Sequence, residues 1–146
     1  MKEVIIYTDG ACSGNPGVGG YCAILMCEGV EKVVSGAEKE TTNNRMELFA
    51  VIKGLSALKF KCSVKVYSDS AYVVNAFQNG WLKDWIKNGW KTADKKPVKN
   101  TDLWQQLVSL LEEHLVEFVK VKGHADNPYN NRCDKIAVAE YKKIIG

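Results

Sequence analysis

Residues 4–10 read Val4-Ile5-Ile6-Tyr7-Thr8-Asp9-Gly10. The first four are apolar on both faces of an extended chain, which is typical of a central strand that is covered on each side. We predict that this strand stops at Thr8-Asp9-Gly10. Because ligands gather at the carboxyl ends of strands in open α/β sheets, Asp9 is a candidate site residue.

The rest of the chain alternates between strand and helix patterns. A glycine-rich loop over 13–20 leads to strands over 21–26 and 30–37, which form a meander. A strong helix pattern follows residue 41, where Leu48, Val51, Ile52, Leu55 and Leu58 recur at helical spacing. The later elements are predicted in the order strand 64–67, helix 71–78, a helix that begins at Asn100 or Thr101, strand 116–121 and helix 131–145. This order predicts an α/β fold with a mixed sheet.

Length and composition exclude several classes of protein. A chain of 146 residues with 46% apolar and 25% charged residues is typical of one folded domain and not of disorder. Its five cysteines are odd in number and form no C-x-x-C pair, which excludes a zinc finger and indicates a reducing compartment. The N-terminal apolar run is too short for a signal peptide or a membrane span, so we expect a cytoplasmic protein without membrane contact.

Four acids stand where strands end or helices begin: Asp9, Glu47, Asp69 and Asp134. Taken singly, each has a local explanation. Glu47 and Asp134 each follow an Asn by three residues, as helix-capping acids do, and this explanation is favoured for each alone. Asp9 is equally well explained as a turn residue, and Asp69 as an N-cap. If the four converged, their repulsion would require bound divalent cations, and all-oxygen ligation suits Mg²⁺ or Mn²⁺.

A histidine in a loop is a candidate proton carrier. His124 lies between Gly123 and Pro128, just after a predicted strand, where an imidazole can exchange protons near neutral pH. The alternative, a solvent-exposed imidazole without a role, is favoured when the loop is considered alone.

The glycine-rich loop over 13–20 is not predicted to bind a nucleotide. Its glycine order differs from G-x-G-x-x-G, and a predicted strand follows it where a phosphate-binding loop is followed by a helix.

Positive charge is concentrated in residues 81–99, which we call the basic segment. It carries six lysines against two aspartates in a chain of net charge +3, together with three of the four tryptophans. Lysines neutralise phosphates and flat aromatic side chains pack on sugars and bases, so the segment is predicted to contact nucleic acid. The alternative is a solvated helix whose Trp81 and Trp85 face the core.

Several motifs together resemble one known family over essentially the whole chain. They are Tyr7-Thr8-Asp9-Gly10-Ala11-Cys12-Ser13-Gly14-Asn15-Pro16-Gly17, Thr42-Asn43-Asn44-Arg45-Met46-Glu47-Leu48, Ser68-Asp69-Ser70, Gly89-Trp90-Lys91-Thr92 and Gly123-His124-Ala125 followed by Asn131-Arg132-Cys133-Asp134. In this order they closely resemble bacterial-type ribonuclease HI.

The resemblance implies a fold and an activity. The fold would be ribonuclease H-like, with five strands of which the first three are antiparallel and strands 1, 4 and 5 parallel, and with helices on both faces. Residues 1–146 would form a single catalytic domain, with 81–99 as a basic protrusion. The activity would be Mg²⁺-dependent endonucleolytic cleavage of the RNA strand of RNA–DNA hybrids, leaving 5′-phosphate and 3′-hydroxyl ends, by a monomer. A non-catalytic hybrid-binding module and a DNA nuclease on the same fold are the alternatives.

The resemblance also implies roles for individual residues. Asp9, Glu47, Asp69 and Asp134 would be catalytic and hold two Mg²⁺ ions, with Mn²⁺ as a substitute, and His124 would assist proton transfer or product departure. Residues that read the RNA strand would be Gly10, Cys12, Asn15, Asn43 and Asn44. Thr42 and Asn100 would hold a phosphate of the DNA strand. The basic segment would bind the hybrid through Trp81, Trp85, Lys87, Trp90, Lys91, Lys95 and Lys96. Ala71 and Glu40 depart from the Gln and Arg that relatives place there.

Overall fold

The computed structural model describes residues 1–122 and 127–145. Its five strands are β1 (Lys2–Cys12), β2 (Gly17–Cys27), β3 (Val30–Thr41), β4 (Cys62–Ser68) and β5 (Leu115–Lys120). They form one sheet in the order β3-β2-β1-β4-β5. β1 and β2, and β2 and β3, pair antiparallel, whereas β4 is parallel to both β1 and β5. The predicted mixed sheet is confirmed.

Strand β1 does not stop where its apolar run stops. It pairs with β2 as far as Cys12 opposite Gly19, whereas its parallel pairing with β4 ends at Tyr7 opposite Tyr67. The predicted end of the strand at Thr8-Asp9-Gly10 is therefore wrong. The apolar run stops there, but the backbone hydrogen bonds to the antiparallel partner β2 continue as far as Cys12. Asp9 lies two residues beyond the last paired position between β1 and β4.

The described residues form five helices: α1 (Asn43–Ser56), α2 (Ala71–Gln78), α3 (Trp81–Lys87), α4 (Thr101–Glu113) and α5 (Pro128–Ile145). The bounds predicted for α2 are confirmed. Helix α5 begins three residues earlier than predicted. The Asn127 side-chain oxygen accepts from the N–H groups of Tyr129 and Asn130, at 3.0 and 3.2 Å. Pro128 is suited to the first helical position, where an N–H has no partner in the helix.

Helices cover both faces of the sheet, as predicted. Helix α5 packs on β1, β2 and β3 over a small cluster of fully buried side chains, Cys22, Ile24, Cys133 and Ala137. Residues that alternate with these, such as Ile6 and Ala23, point to the other face and into the main core under α1 and α4. Within the described part of the chain, no helix combines the length and apolar character that crossing a membrane requires.

Candidate active site

Three of the four candidate acids converge. The carboxylates of Asp9, Glu47 and Asp69 each offer an oxygen atom, and these atoms lie within 4.8 Å of one another. Asp9 is only 5% exposed and Glu47 only 4%, whereas Asp69 is half-buried. Two carboxylates about 5 Å apart repel by roughly 3 kcal/mol at an effective dielectric near 20. A cluster of three is therefore suited to binding a cation.

A single backbone N–H joins two of these acids. The Gly10 N–H donates to Oδ1 of Asp9 at 2.9 Å and to Oε1 of Glu47. Helix α1 crosses β1 so closely here that a Cβ on residue 10 would lie 2.5 Å from the backbone nitrogen of Glu47. Only glycine permits this approach, since real Cβ contacts are essentially never shorter than 3.0 Å. Gly10 therefore sets the distance between Asp9 and Glu47.

The local explanations for the acids are wrong. The N-cap of α1 is Thr42, whose hydroxyl accepts from the Arg45 N–H at 3.3 Å, so Glu47 lies in the second turn. The N-cap of α2 is Ser70 and not Asp69. Asn127 supplies the capping oxygen of α5, which leaves Asp134 well inside that helix. Asp9 lies within β1 and not in a turn. Neighbouring residues thus cap the helices, and the carboxylates remain available to bind a cation.

Burial and mutual repulsion change the titration of the buried acids. The pKa of Asp9 is raised to about 7, mainly by burial and also by the charges of Asp69 and Asp134, against the lowering effect of the hydrogen bond with Glu47. Burial also raises the pKa of Glu47 well above its ordinary value, and the charge of Asp9 adds to this. Without a cation, the pair therefore retains a proton near neutral pH. A hard divalent cation, which prefers oxygen ligands, fits this set of donors.

Asp134 lies at the edge of the acid cluster. It is half-buried on α5, and its charge raises the pKa of Asp9. Its oxygen atoms are outside the group of three within 4.8 Å. His124, the candidate proton carrier, lies outside the described residues.

The residues expected to read the RNA strand lie beside the acids. The Asn15 side-chain oxygen accepts from the backbone N–H of Asn43 at 2.9 Å, which joins the loop after β1 to the first residue of α1. The Cys12 thiol donates to the carbonyl oxygen of Gly14 at 2.6 Å. The side chains of Asn15, Asn43 and Asn44 are exposed, so this surface is open next to Asp9 and Glu47.

Thr42 and Asn100 are brought together by a residue that the sequence analysis did not single out. The Arg45 N–H donates to Thr42, while its guanidinium donates to Oδ1 of Asn100 at 3.2 Å and forms a bidentate pair with Asp102 at 3.0 and 2.8 Å. In the sequence, the signal that could have indicated a role for Arg45 is its position inside the motif that contains Glu47.

Tyr72 is a second residue that the sequence analysis missed. Its hydroxyl oxygen accepts from Nδ2 of Asn100 and from Nε1 of the fully buried Trp104, both at 3.0 Å. Asn100 itself has a left-handed backbone, with φ of 62°. Its side chain is thus held between Arg45 and Tyr72, and no sequence pattern indicates a contact between residues this far apart.

The basic segment combines an exposed charged surface with a packed aromatic base. All six lysines are exposed. Trp85 and Trp90 pack against the main core, and the Trp85 ring meets Trp104 edge-on at 5.4 Å between centroids. Trp81 is 41% exposed, so the alternative in which both Trp81 and Trp85 face the core is wrong for Trp81. Trp81 and the six lysines are therefore exposed to a ligand, and Trp85 and Trp90 are half-buried.

Comparison with protein families and curated proteins gives a consistent result. A family model described as RNase H matches residues 1–142. A ribonuclease H of Chlorobaculum parvum is 62% identical over 136 residues, which cover 93% of each chain. A ribonuclease H of Caldicellulosiruptor saccharolyticus is 58% identical over 144 residues, which cover 99% of each chain.

Solved structures agree with the sheet topology. LC9-RNase H1, described as a type 1 RNase H with the type 2 active-site motif, superposes with a TM-score of 0.83 at 31% identity, over 98% of this chain and 74% of that one. LC11-RNase H1, solved in complex with an RNA/DNA hybrid, gives a TM-score of 0.77 at 25% identity, over 98% of this chain and 99% of that one.

Proposed function

The chain belongs to the ribonuclease H family, and from this premise we propose that it hydrolyses the RNA strand of RNA–DNA hybrids endonucleolytically, leaving 5′-phosphate and 3′-hydroxyl ends. The observation that carries the proposal is the convergence of Asp9, Glu47 and Asp69 within 4.8 Å. Two of these acids are buried, a costly arrangement that a cation-dependent nuclease requires and a hybrid-binding module does not. The solved LC11-RNase H1 complex supports the choice of substrate.

The family uses metal ions, and we propose two Mg²⁺ ions here, with Mn²⁺ as a substitute. Asp9, Glu47, Asp69 and Asp134 would hold them. When bound, such a pair of cations stabilises the attacking and leaving oxygens of an in-line phosphoryl displacement. The all-carboxylate donor set supports Mg²⁺ over zinc, which prefers histidine and cysteine.

The residues of the chain hold the reacting groups in place. The Gly10 N–H orients the carboxylates of Asp9 and Glu47 towards each other. The burial of both acids keeps water from screening their charge. We propose that His124 moves a proton near the scissile phosphate or assists product departure, as the resemblance implies. Its role stays a prediction.

Substrate recognition is proposed to use three surfaces. Gly10, Cys12, Asn15, Asn43 and Asn44 would read 2′-hydroxyls and base edges in the minor groove, because the 2′-hydroxyl distinguishes RNA from DNA. Thr42 and Asn100 would hold a phosphate of the DNA strand. The basic segment would hold the backbone through Trp81, Trp85, Lys87, Trp90, Lys91, Lys95 and Lys96.

Two further expectations are retained as proposals. The acids come from β1, α1 and the end of β4 of one chain, which supports action as a monomer. All five cysteines are free thiols, which supports a reducing compartment such as the cytoplasm.

The test uses one labelled RNA strand paired with DNA or with RNA, and a labelled DNA duplex, each incubated with Mg²⁺ or with EDTA. We expect cleavage of the RNA in the hybrid alone, and only with Mg²⁺. The Asp9→Asn variant should bind the hybrid within a fewfold of the unmodified protein and cut it at least about 10³-fold more slowly, because electrostatic stabilisation of the transition state is lost.

Each other outcome selects an alternative. Hybrid binding without cleavage at any Mg²⁺ or Mn²⁺ concentration would indicate a non-catalytic module. Cleavage of the DNA duplex would indicate a DNA nuclease on this fold. Undiminished turnover by Asp9→Asn would reject the assignment of the acids.

A further inference from the structure

Strand β1, which carries Asp9, and strand β4, which ends directly before Asp69, separate just before these acids. The last parallel pair between β1 and β4 is Tyr7 opposite Tyr67. Beyond it, the chain reaches Asp9 in two residues on one strand and Asp69 in two residues on the other. The spacing of the two carboxylates therefore depends on what holds the strands together after their own ladder ends.

A buried amide from α5 occupies this position. Nδ2 of Asn130 donates to the carbonyl oxygen of Thr8 at 3.1 Å and to that of Tyr67 at 3.2 Å. The Thr8 hydroxyl donates to the same Tyr67 oxygen at 3.2 Å. Asn130 is 7% exposed, so water competes little for these bonds. One side chain thus bridges β1 and β4 across the point of separation.

The same residue fixes α5 against the sheet near a third acid. Asp134 lies four residues after Asn130, one turn along the same helix. Its charge acts on Asp9. A movement of Asn130 would therefore change the positions of Asp9, Asp69 and Asp134 together, whereas Glu47 is held separately through Gly10.

We propose that Asn130 is a positioning residue that sets the spacing of the acid cluster and thereby its affinity for divalent cations. The proposal rests on the metal site in the proposed function. Asn130 is buried and is not itself one of the carboxylates that would hold the cations. It acts through the backbone of Thr8 and Tyr67, as residues behind metal ligands do when they orient them.

The test compares Asn130→Ala with Ile136→Ala. Ile136 lies on the same helix and packs against the buried cluster of Cys22, Ile24, Cys133 and Ala137, so we expect its truncation to destabilise α5 while the Asn130 hydrogen bonds stay in place. Three measurements are needed: urea unfolding, Mn²⁺ binding by calorimetry without substrate, and kcat and KM for the hybrid across a range of Mg²⁺ concentrations.

For Asn130→Ala we expect the Mn²⁺ dissociation constant to rise about ten- to a hundredfold, as for residues that orient metal ligands. The Mg²⁺ concentration that gives half-maximal activity should rise in parallel, while KM for the hybrid stays within twofold. Ile136→Ala should lose stability and keep its metal affinity. Mn²⁺ affinity within twofold of the unmodified protein, or an equal loss in Ile136→Ala, would overturn the proposal.

A second variant covers the case in which Asn130→Ala does not fold. Asn130→Ser retains one donor for the two carbonyls in place of a longer amide, so its metal affinity should be lower than that of the unmodified protein. An unchanged affinity in Asn130→Ser would overturn the proposal. If the unmodified protein itself neither bound Mn²⁺ nor cut the hybrid, the proposed function would fail instead, and the two failures are thereby distinguishable.

Discussion

The backbone N–H of Gly10 donates a hydrogen bond to Oε1 of Glu47, a residue 37 positions further along the chain. The bond joins β1 to the second turn of α1, and both partners are buried. Because the same N–H also donates to Asp9, the strand and the helix share one contact at the centre of the acid cluster. A substitution at Gly10 can therefore change the geometry of the acid cluster while every carboxylate is kept.

We expect Gly10→Ala to reduce kcat at least tenfold. The added methyl would lie 2.5 Å from the backbone of Glu47 and Met46. Overpacking of this kind costs about 1–3 kcal/mol and would move α1 away from β1. Single-turnover cleavage and urea unfolding measure the two effects. Gly54→Ala is the matched control, since its methyl would meet Ile6 and Ala23 in the core. Equal activity losses in both variants would contradict the explanation.

In EDTA, we expect Asp9→Asn to be more stable than the unmodified protein at pH 8, by about 2–4 kcal/mol. The pKa of Asp9 is raised to about 7 in the folded protein from 3.8, mainly by burial. The folded state thus holds a proton that the unfolded chain releases above pH 4, and stability falls as the pH rises from about 4 to about 7.

Urea unfolding from pH 4.5 to 8 measures this difference. The difference should shrink towards low pH, because Asp9 stays protonated in the folded protein while the pH approaches 3.8, the pKa of this carboxyl in the unfolded chain. Adding Mg²⁺ at pH 8 should stabilise the unmodified protein more than the variant. An equal difference in stability at all pH values would contradict the assigned cause.

We expect replacement of Lys87, Lys91, Lys95 and Lys96 by alanine to raise KM for the hybrid about tenfold with kcat within twofold. Each lysine that contacts a phosphate should also reduce the slope of log KM against log salt by about one. The control replaces Lys2, Lys32, Lys59 and Lys61, which are exposed and outside the basic segment. Both variants have the same net charge. The same salt slope in both would mean that the basic segment is only a solvated surface.

We expect Tyr72→Phe to weaken hybrid binding severalfold and to leave kcat within twofold. The change removes the acceptor for Asn100 and for the buried Trp104, at a cost of about 1–3 kcal/mol in stability. Fluorescence anisotropy of the hybrid in the Asp9→Asn background measures binding. Tyr7→Phe deletes a hydroxyl from the stack of Tyr7 with Tyr67 and Tyr129 and is the control. Equal binding by the two variants would show that Tyr72 does not position Asn100.

The elements were predictable where the chemistry is local. The bounds of α2 follow from an apolar pattern between Ser70, which caps it, and the Asn79-Gly80 stop. The ends of β1 and β2 were wrong because hydrogen bonds to a partner strand extended them beyond their apolar runs. Helix α5 began at Pro128 because capping came from Asn127, which the sequence analysis had not considered as a cap.

The acid cluster, too, could be predicted only in part from the sequence. Asp9, Glu47, Asp69 and Asp134 were identified from the residues alone, yet each had an equally good or better explanation as a cap or turn residue. The structure excludes those explanations, because Thr42, Ser70 and Asn127 do the capping. Arg45, Tyr72 and Asn130 were not assigned roles, because each acts on partners that lie far away in sequence.

By itself, the amino-acid sequence determined the order of the five strands and of every helix except α3, the identity of the acids and the concentration of lysines in residues 81–99. These properties depend on neighbours within a few positions, whose periodicity and charge are visible in the chain. Only the tertiary structure decided which acids meet and what holds them. Asp9, Glu47 and Asp69 approach one another because α1 lies on a glycine of β1 and because one buried amide spans two separating strands.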